Sequence, residues 1–331
     1  MGKADTHVHT NYSGVASLWK LKFPESVTTP QEQVDQAIHN GMDVLCITDH
    51  NETAGAFVAQ RYAKDKDIDV IIGEEINTNE GEIIGMYLTE KIKRDLSIEE
   101  TIDEIRSQGG LTIAPHPFSF HVDGLGEKIF SIDLDGFEVM NGGHPDLYSN
   151  VMASKVMERY PGVWAPMSAS DGHSRYTVGT CYTEFEGSSA EDLRKAILNK
   201  TTVPVGRPAP VISQVQWSIE VVLGGQKLMY ESLRGRLKSV EDNTLVDRIN
   251  EMSNLMKVAA FGGSLLYLFP PVSFLATLMS TAYLKTGAIK MSRDMQRKIE
   301  EFDKLIIERF ERLGGKAFAL PTEIKNRIKC P

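Results

Sequence analysis

Short apolar runs bounded by polar residues recur along the first 207 positions, at 44–47, 70–72, 83–86, 111–114 and 136–139. They are rich in Val, Ile and Leu, the pattern of strands buried on both faces of a parallel sheet. Stretches with helical start signals lie between them. Thr29-Pro30-Gln31-Glu32 is a capping box with proline at the first helical position, followed by Val34, Ala37 and Ile38 at helical spacing. Ser97-Ile98-Glu99-Glu100 is a second box, whose helix should stop at Gly109-Gly110. Ser188-Ser189-Ala190-Glu191 opens a third helix. The alternation predicts a parallel α/β sheet curled into a barrel.

This rhythm ends at Gly206-Arg207-Pro208-Ala209-Pro210, a linker by its proline and glycine content. The expected division is a barrel over 1–207 and a helical region over 208–331, with helices from about 213 to 252 and from 290 to 314. Residues 258–284 contain no Asp, Glu, Lys or Arg. Pro270-Pro271 divides this apolar segment into halves too short to cross a bilayer singly. Lys285, Lys290, Arg293, Arg297 and Lys298 follow it, which assigns that flank to the cytoplasm. A kinked span, a hairpin dipping into one leaflet and buried helices at a self-association interface all fit the pattern.

Composition narrows the class. Hydrophobic residues at 41% and charged residues at 24% describe a folded chain. The net charge of -9 is uneven. Residues 1–207 carry 18 basic and 32 acidic side chains, and residues 208–331 carry 18 and 13. An acidic first half argues against a broad nucleic-acid-binding face there. Cys46, Cys181 and Cys330 are odd in number and far apart, which excludes a disulfide framework or a zinc finger and suits a reducing compartment. With His7 so near Met1, no signal peptide is expected. The expected location is cytoplasmic, with membrane attachment through 258–284 open.

The candidate chemistry sits where the strands should end. Five of the eight histidines fall in short pieces: Asp5-Thr6-His7-Val8-His9-Thr10, Asp49-His50, Pro115-His116-Pro117 and Ser170-Asp171-Gly172-His173. Gly73-Glu74-Glu75 adds a carboxylate that can bridge two cations. His7 and His9 are two apart on a strand, so both rings point the same way. Asp171 and His173 repeat that spacing. Asp49 is expected to cap the next helix, leaving His50 as the ligand, and Glu74 is expected at the surface. Prolines on both sides aim His116. Barrel enzymes place their sites at the C-terminal ends of strands, and imidazoles with carboxylates there suit two or three divalent cations.

These motifs in this order resemble the PHP (polymerase and histidinol phosphatase) family of metal-dependent phosphoesterases, over about residues 3–207. The resemblance implies a distorted (β/α)7 barrel followed here by an α-helical C-terminal region. It implies that His7, His9, Glu75 and Asp171 hold one metal, that Glu75 and His116 hold a second, and that His50 and His173 help hold a third. Asn141 falls in a stretch that shapes the site. Three features depart from the family pattern. Gly14 follows Ser13 where an aspartate is common, Glu82 stands where a histidine is common, and no arginine follows Pro115-His116-Pro117. Glu82 can still bind a metal and tilts the choice among Mn, Fe and Zn towards the first two. Arg175 is a candidate substitute grip for phosphate, the alternative being a surface arginine. His121 and His144 are spare histidines able to protonate a leaving group.

The reading that follows is a hydrolase acting on a phosphate monoester or small nucleotide through a hydroxide bridging the metals. The catalytic set, acting through the metals, is His7, His9, Glu75, His116 and Asp171. The alternatives are an amidohydrolase-like enzyme cleaving C–N bonds, and a decayed PHP binding module on a membrane-associated tail. No lysine stands at a strand end to supply the carboxylated bridge that amidohydrolases commonly use.

Overall fold

The computed structural model of the chain describes residues 1–18, 21–144, 147–238 and 244–312. Gly314 and Cys330 lie outside the described residues. The strands are β1 (Gly2–Val8), β2 (Val15–Leu18), β3 (Leu21–Pro24), β4 (Val44–Ile47), β5 (Asp69–Asn77), β6 (Glu82–Met86), β7 (Leu111–Ala114), β8 (Gly136–Asn141), β9 (Ala165–Ala169), β10 (Cys181–Phe185) and β11 (Val203–Gly206). The helices are α1 (Pro30–His39), α2 (Ala54–Ala63), α3 (Ile98–Ser107), α4 (Leu147–Arg159), α5 (Ala190–Asn199), α6 (Val211–Leu233), α7 (Thr244–Glu251), α8 (Asn254–Tyr267), α9 (Pro270–Ser292) and α10 (Met295–Arg312).

Nine strands form one sheet in the order β11-β10-β1-β4-β5-β6-β7-β8-β9, and β2 and β3 form a separate hairpin. The sheet curls until its far end returns to β1. Val8 forms a parallel bridge with Gly172, the His9 amide donates to Gly172 O at 3.1 Å, and the Gly172 amide donates to His7 O at 3.2 Å. Thr183 Oγ1 accepts from the Ser168 amide at 2.9 Å and donates to its carbonyl at 2.8 Å, tying β9 to β10. The result is a mixed, nearly closed barrel with helices outside it.

The sheet is not wholly parallel. β6 runs antiparallel to both β5 and β7, and β10 runs antiparallel to β1 and β11. The parallel reading of 83–86 is therefore corrected. Only residues 78–81 separate β5 from β6, which suffices for a hairpin but not for the longer crossover that parallel strands need. The reversal puts Glu82, the first residue of β6, at the barrel end where the parallel strands finish.

The helical starts follow their local signals. Thr29 and Ser97 complete the expected boxes with Glu32 and Glu100. Ser189, with Asp192, caps α5. Gly109 takes φ 74 just beyond α3, a left-handed turn that glycine adopts without strain.

The helical region packs onto the barrel. α10 places Ile299, Phe302 and Ile306 in the same core as Phe130, Phe137, Tyr160 and Trp164. Arg159 grips Asp303 through two bonds of 2.6 Å, and Tyr160 Oη donates to Asp303 at 2.9 Å. The expected stretch from 213 to 252 resolves into α6 and α7, and residues 239–243 between them lie outside the described set. Residues 258–284 fall on α8 and α9, which meet at an 83° bend ahead of Pro270. No single described helix is long and apolar enough to cross a membrane.

Candidate metal centre

The ends of β1, β4, β7, β8 and β9, together with β5 and the start of β6, bring the chemistry to one point. His7 Nε2 and His9 Nε2 stand 3.0 Å apart. Glu75 Oε2 is 3.1 Å from His7 Nε2, 3.3 Å from His9 Nε2 and 3.4 Å from His50 Nε2. Its other oxygen, Oε1, is 3.1 Å from His116 Nε2. Asp171 Oδ1 is 3.6 Å from His7 Nε2, 3.3 Å from His9 Nε2 and 3.3 Å from His173 Nδ1. The His9 ring stacks against those of His50 and His173, at centroid distances of 4.8 and 4.1 Å. Glu82 Oε2 is 3.8 Å from His116 Nε2, and Glu82 Oε1 is 3.8 Å from His50 Nδ1. All eight candidate ligands thus belong to one cluster. Glu75 is not at the end of its strand. β5 runs on to Asn77, and the pleat aims Glu75 inwards.

The same pleat sends Glu74 to the other face. It is not at the surface. Its carboxylate is buried, accepts from the Ile92 amide at 2.8 Å, and is pushed up to about 8 by burial. Asp49 does not cap α2. It accepts from Thr10 Oγ1 at 2.7 Å and from the Thr10 amide, which braces the turn after His9. Arg175 pairs with Glu220 at 3.1 Å and Glu32 at 3.6 Å, so its charge is already matched.

Several residues orient the ligands without being evident ligands themselves. Glu138 Oε1 is 2.8 Å from His7 Nδ1, while Oε2 accepts from the His116 amide and from Asn141 Nδ2, both at 2.8 Å. Asn141 also donates to Asp171 at 3.2 Å. Ser13 Oγ is 2.9 Å from His9 Nδ1 and accepts from the His50 amide at 3.1 Å. Gln33 donates to His9 O and Gly172 O at the barrel seam. The available signal for Glu138 was an acid inside the apolar run Phe137-Glu138-Val139. Ser13 had none, because its partners are 4 and 37 residues away.

His144 is buried, with Nδ1 2.9 Å from Asn141 Oδ1 and Nε2 3.1 Å from Ser119 Oγ. Burial, reinforced by His116 and His121, holds it well below the usual imidazole range. His121 is exposed beside it, at a centroid distance of 4.6 Å.

Two of the candidate ligands sit in strained backbone. His116 has φ 27 and Asp171 has φ 51, a region that costs about 1–3 kcal/mol for residues other than glycine. The Glu138 bond to the His116 amide holds the first. Gly143, where a Cβ would come within 3.1 Å of Asp171, leaves room for the second.

The residues fit divalent cations. The Nδ1 atoms of His7 and His9 are engaged by Glu138 and Ser13, so both Nε2 atoms face the centre. Four tetrahedral ligands at about 2.0–2.1 Å from zinc would lie roughly 3.3 Å apart. The separations between His7 and His9, and from each of them to Glu75 and to Asp171, are 3.0–3.6 Å. His116 Nδ1 is buried with no hydrogen-bond partner among the described residues.

The electrostatics agree. Burial alone would lower His7, but Glu75, Asp171 and Glu138 hold it well above its ordinary value. Burial is outweighed by Asp171 and Glu75 at His9, raised to about 10, and by Glu75 at His116, raised to about 9. Against burial, His50 and His7 hold Glu75 well below the carboxylate range. Burial, then Glu75, pushes Glu82 up to about 8. The centre is a negative sink that retains protons, and a metal ion entering it displaces them.

The PHP domain family model matches residues 5–104, and the PHP-associated model matches residues 164–202. The uncharacterized protein MJ1587 of Methanocaldococcus jannaschii is 48% identical over 160 residues, which are 48% of this chain and 94% of that protein. A second protein of that organism, the uncharacterized MJ0417, is 35% identical over 128 residues, 37% of this chain and 53% of its own length. The crystal structure of PsfC from Pseudomonas syringae aligns over 78% of this chain and 99% of its own, at 15% identity and a TM-score of 0.46. With matched segments that contain His7, His9, His50, Glu75, Glu82, Asp171 and His173, the chain belongs to the PHP family.

Proposed function

We propose that the chain is a metal-dependent phosphoesterase acting on a phosphate monoester or small nucleotide, with its chemistry in residues 1–207. The observation that carries this is Glu75, whose two oxygens face different imidazoles, His116 on one side and His7, His9 and His50 on the other. His7, His9, Glu75 and Asp171 would hold one cation, and Glu75 with His116 a second. His50, His173 and Glu82 are the further ligands. Bound divalent cations supply Lewis acidity, lowering the pKa of water and offsetting charge on phosphoryl oxygens. Glu138 fixes the His7 ring and the His116 backbone, and Ser13 fixes His9 and the His50 backbone, so the ligands meet substrate without reorganising. His144, buried and held neutral, pairs with Ser119 Oγ and is the candidate to pass a proton.

Preference for phosphorus over a carbonyl carbon rests on family membership. The test is a paired panel of phosphate monoesters and simple amides, assayed after reconstitution with Mn, Fe or Zn. Hydrolysis of the esters alone supports the reading. Hydrolysis of amides alone would replace it with the C–N hydrolase, and bound metal without turnover would favour a binding module.

We propose further that α8 and α9 lie against a lipid surface. α9 buries its small hydroxylated side, Ser273, Thr277 and Thr281, and exposes Phe274, Leu275, Leu278, Met279 and Tyr283. A helix on a water-facing protein has the opposite arrangement. The buried hydroxyls are satisfied by carbonyls of their own helix at 2.9–3.2 Å, which lets the small side pack closely. Lys285, Lys290 and Arg293 border the apolar face and complement anionic headgroups. The protein should sediment with vesicles containing phosphatidylserine, and a Phe274→Asp/Leu278→Asp variant should stay in solution. A wild-type protein that ignores vesicles and doubles in mass by light scattering would identify a second copy as the occupant instead.

A further inference from the structure

The loop after Ser13 departs from the family pattern because Gly14 replaces the common aspartate, so this loop brings no acid of its own to His50 and His173. The tertiary structure brings one. β2 and β3 form a closed antiparallel excursion, with Val15 opposite Pro24, and the Glu25 amide donates to Gly14 O at 3.3 Å. The chain therefore leaves at residue 14 and returns an acid beside the same point. Glu25 Oε2 lies 3.7 Å from His50 Nε2.

Glu25 is also held from outside the barrel. Trp217, on α6, donates Nε1–H to Glu25 O at 2.8 Å, and its ring meets His173 edge-on at a centroid distance of 6.3 Å. One side chain of the helical region thus touches both the acid and one of the two imidazoles. His173 Nδ1 is engaged by Asp171, 3.1 Å from its carbonyl, so its Nε2 is the atom left for a ligand.

We propose that Glu25 is the acidic ligand of a third cation site with His50 and His173, and that Trp217 makes this site depend on the helical region. This rests on the reading of the cluster as a metal centre. A carboxylate facing His50, in addition to Glu75 and Glu82, would add a hard anionic donor to the two imidazoles. The hairpin supplies that anion from 11 residues beyond Gly14.

The test uses the full chain stripped of metal and titrated with Mn2+ alone, with bound metal counted by elemental analysis after dialysis. Wild type is expected to bind three ions. Glu25→Gln should bind two, with the third weakened at least about tenfold and the other two unchanged. Glu25→Asp should fall between them, because the charge remains but retracts. Trp217→Phe should weaken the third ion without changing the count at saturation. Circular dichroism melting of each variant checks that the fold survives. If Glu25→Gln loses its fold, the Glu25→Asp and Trp217→Phe titrations decide, and wild-type third-site affinity in both overturns the proposal. Equal third-ion affinity in wild type and Glu25→Gln overturns it as well, as does a wild type that binds only two ions. A wild type that binds no ion at all overturns the metal-centre reading itself.

Discussion

Glu138 and His7 are joined at 2.8 Å, carboxylate to Nδ1, across 131 residues of sequence. The same carboxylate takes the amide of His116, so one buried side chain sets ligands of both expected metals. Glu138→Gln keeps the volume and removes the charge. It should lower metal affinity about 10–100-fold, the usual effect of losing a partner behind a ligand, while the fold persists. Competition against a calibrated chelator measures this.

His9→Ala and Asp171→Ala each remove one of the proposed ligands. Each should abolish turnover and lower metal content, with far-ultraviolet circular dichroism unchanged. Full activity in either variant would count against the proposed mechanism.

Metal removal should also be visible in stability. An ion present at about 1,000 times its Kd adds about 4 kcal/mol to the folded state. Chelation of the purified protein should therefore lower Tm by several degrees, and Mn2+ should restore it. Differential scanning calorimetry with and without chelator reads both.

Gly55 lies against the Asp49 carboxylate and Thr10 Oγ1, leaving no space for a Cβ. Gly55→Ala should cost about 1–3 kcal/mol by urea denaturation. It should also weaken metal binding, since Asp49 and Thr10 brace the turn that follows His9.

Asp303 ties α10 to the end of α4 through Arg159 and Tyr160. Asp303→Ala should destabilise the protein by about 3 kcal/mol, the low end for a broken buried pair because the Arg159 side chain is 24% exposed. Proteolysis should then release the C-terminal helices first, which mass spectrometry of limited digests would show.

Much of this protein is written locally. Capping boxes at Thr29 and Ser97, the run 44–47 at β4 and the run 111–114 at β7 are set by neighbouring residues, and the structure reproduces them. Residue types with two-residue spacing also marked His7, His9, Asp171 and His173, because a strand's period of two fixes which side chains share a face. Strand direction was beyond that reach. An apolar run looks the same either way round, and only pairing with β5 and β7 made β6 antiparallel and brought Glu82 to the mouth. Glu74 and Glu75 are alike in sequence, and the pleat together with the packing at Ile92 decided which one is buried away from the centre. The partners of the ligands were the least legible. Ser13, Glu25 and Glu138 meet histidines 4 to 131 residues away, and distances of that kind are set by how a sheet closes, not by the composition of any segment.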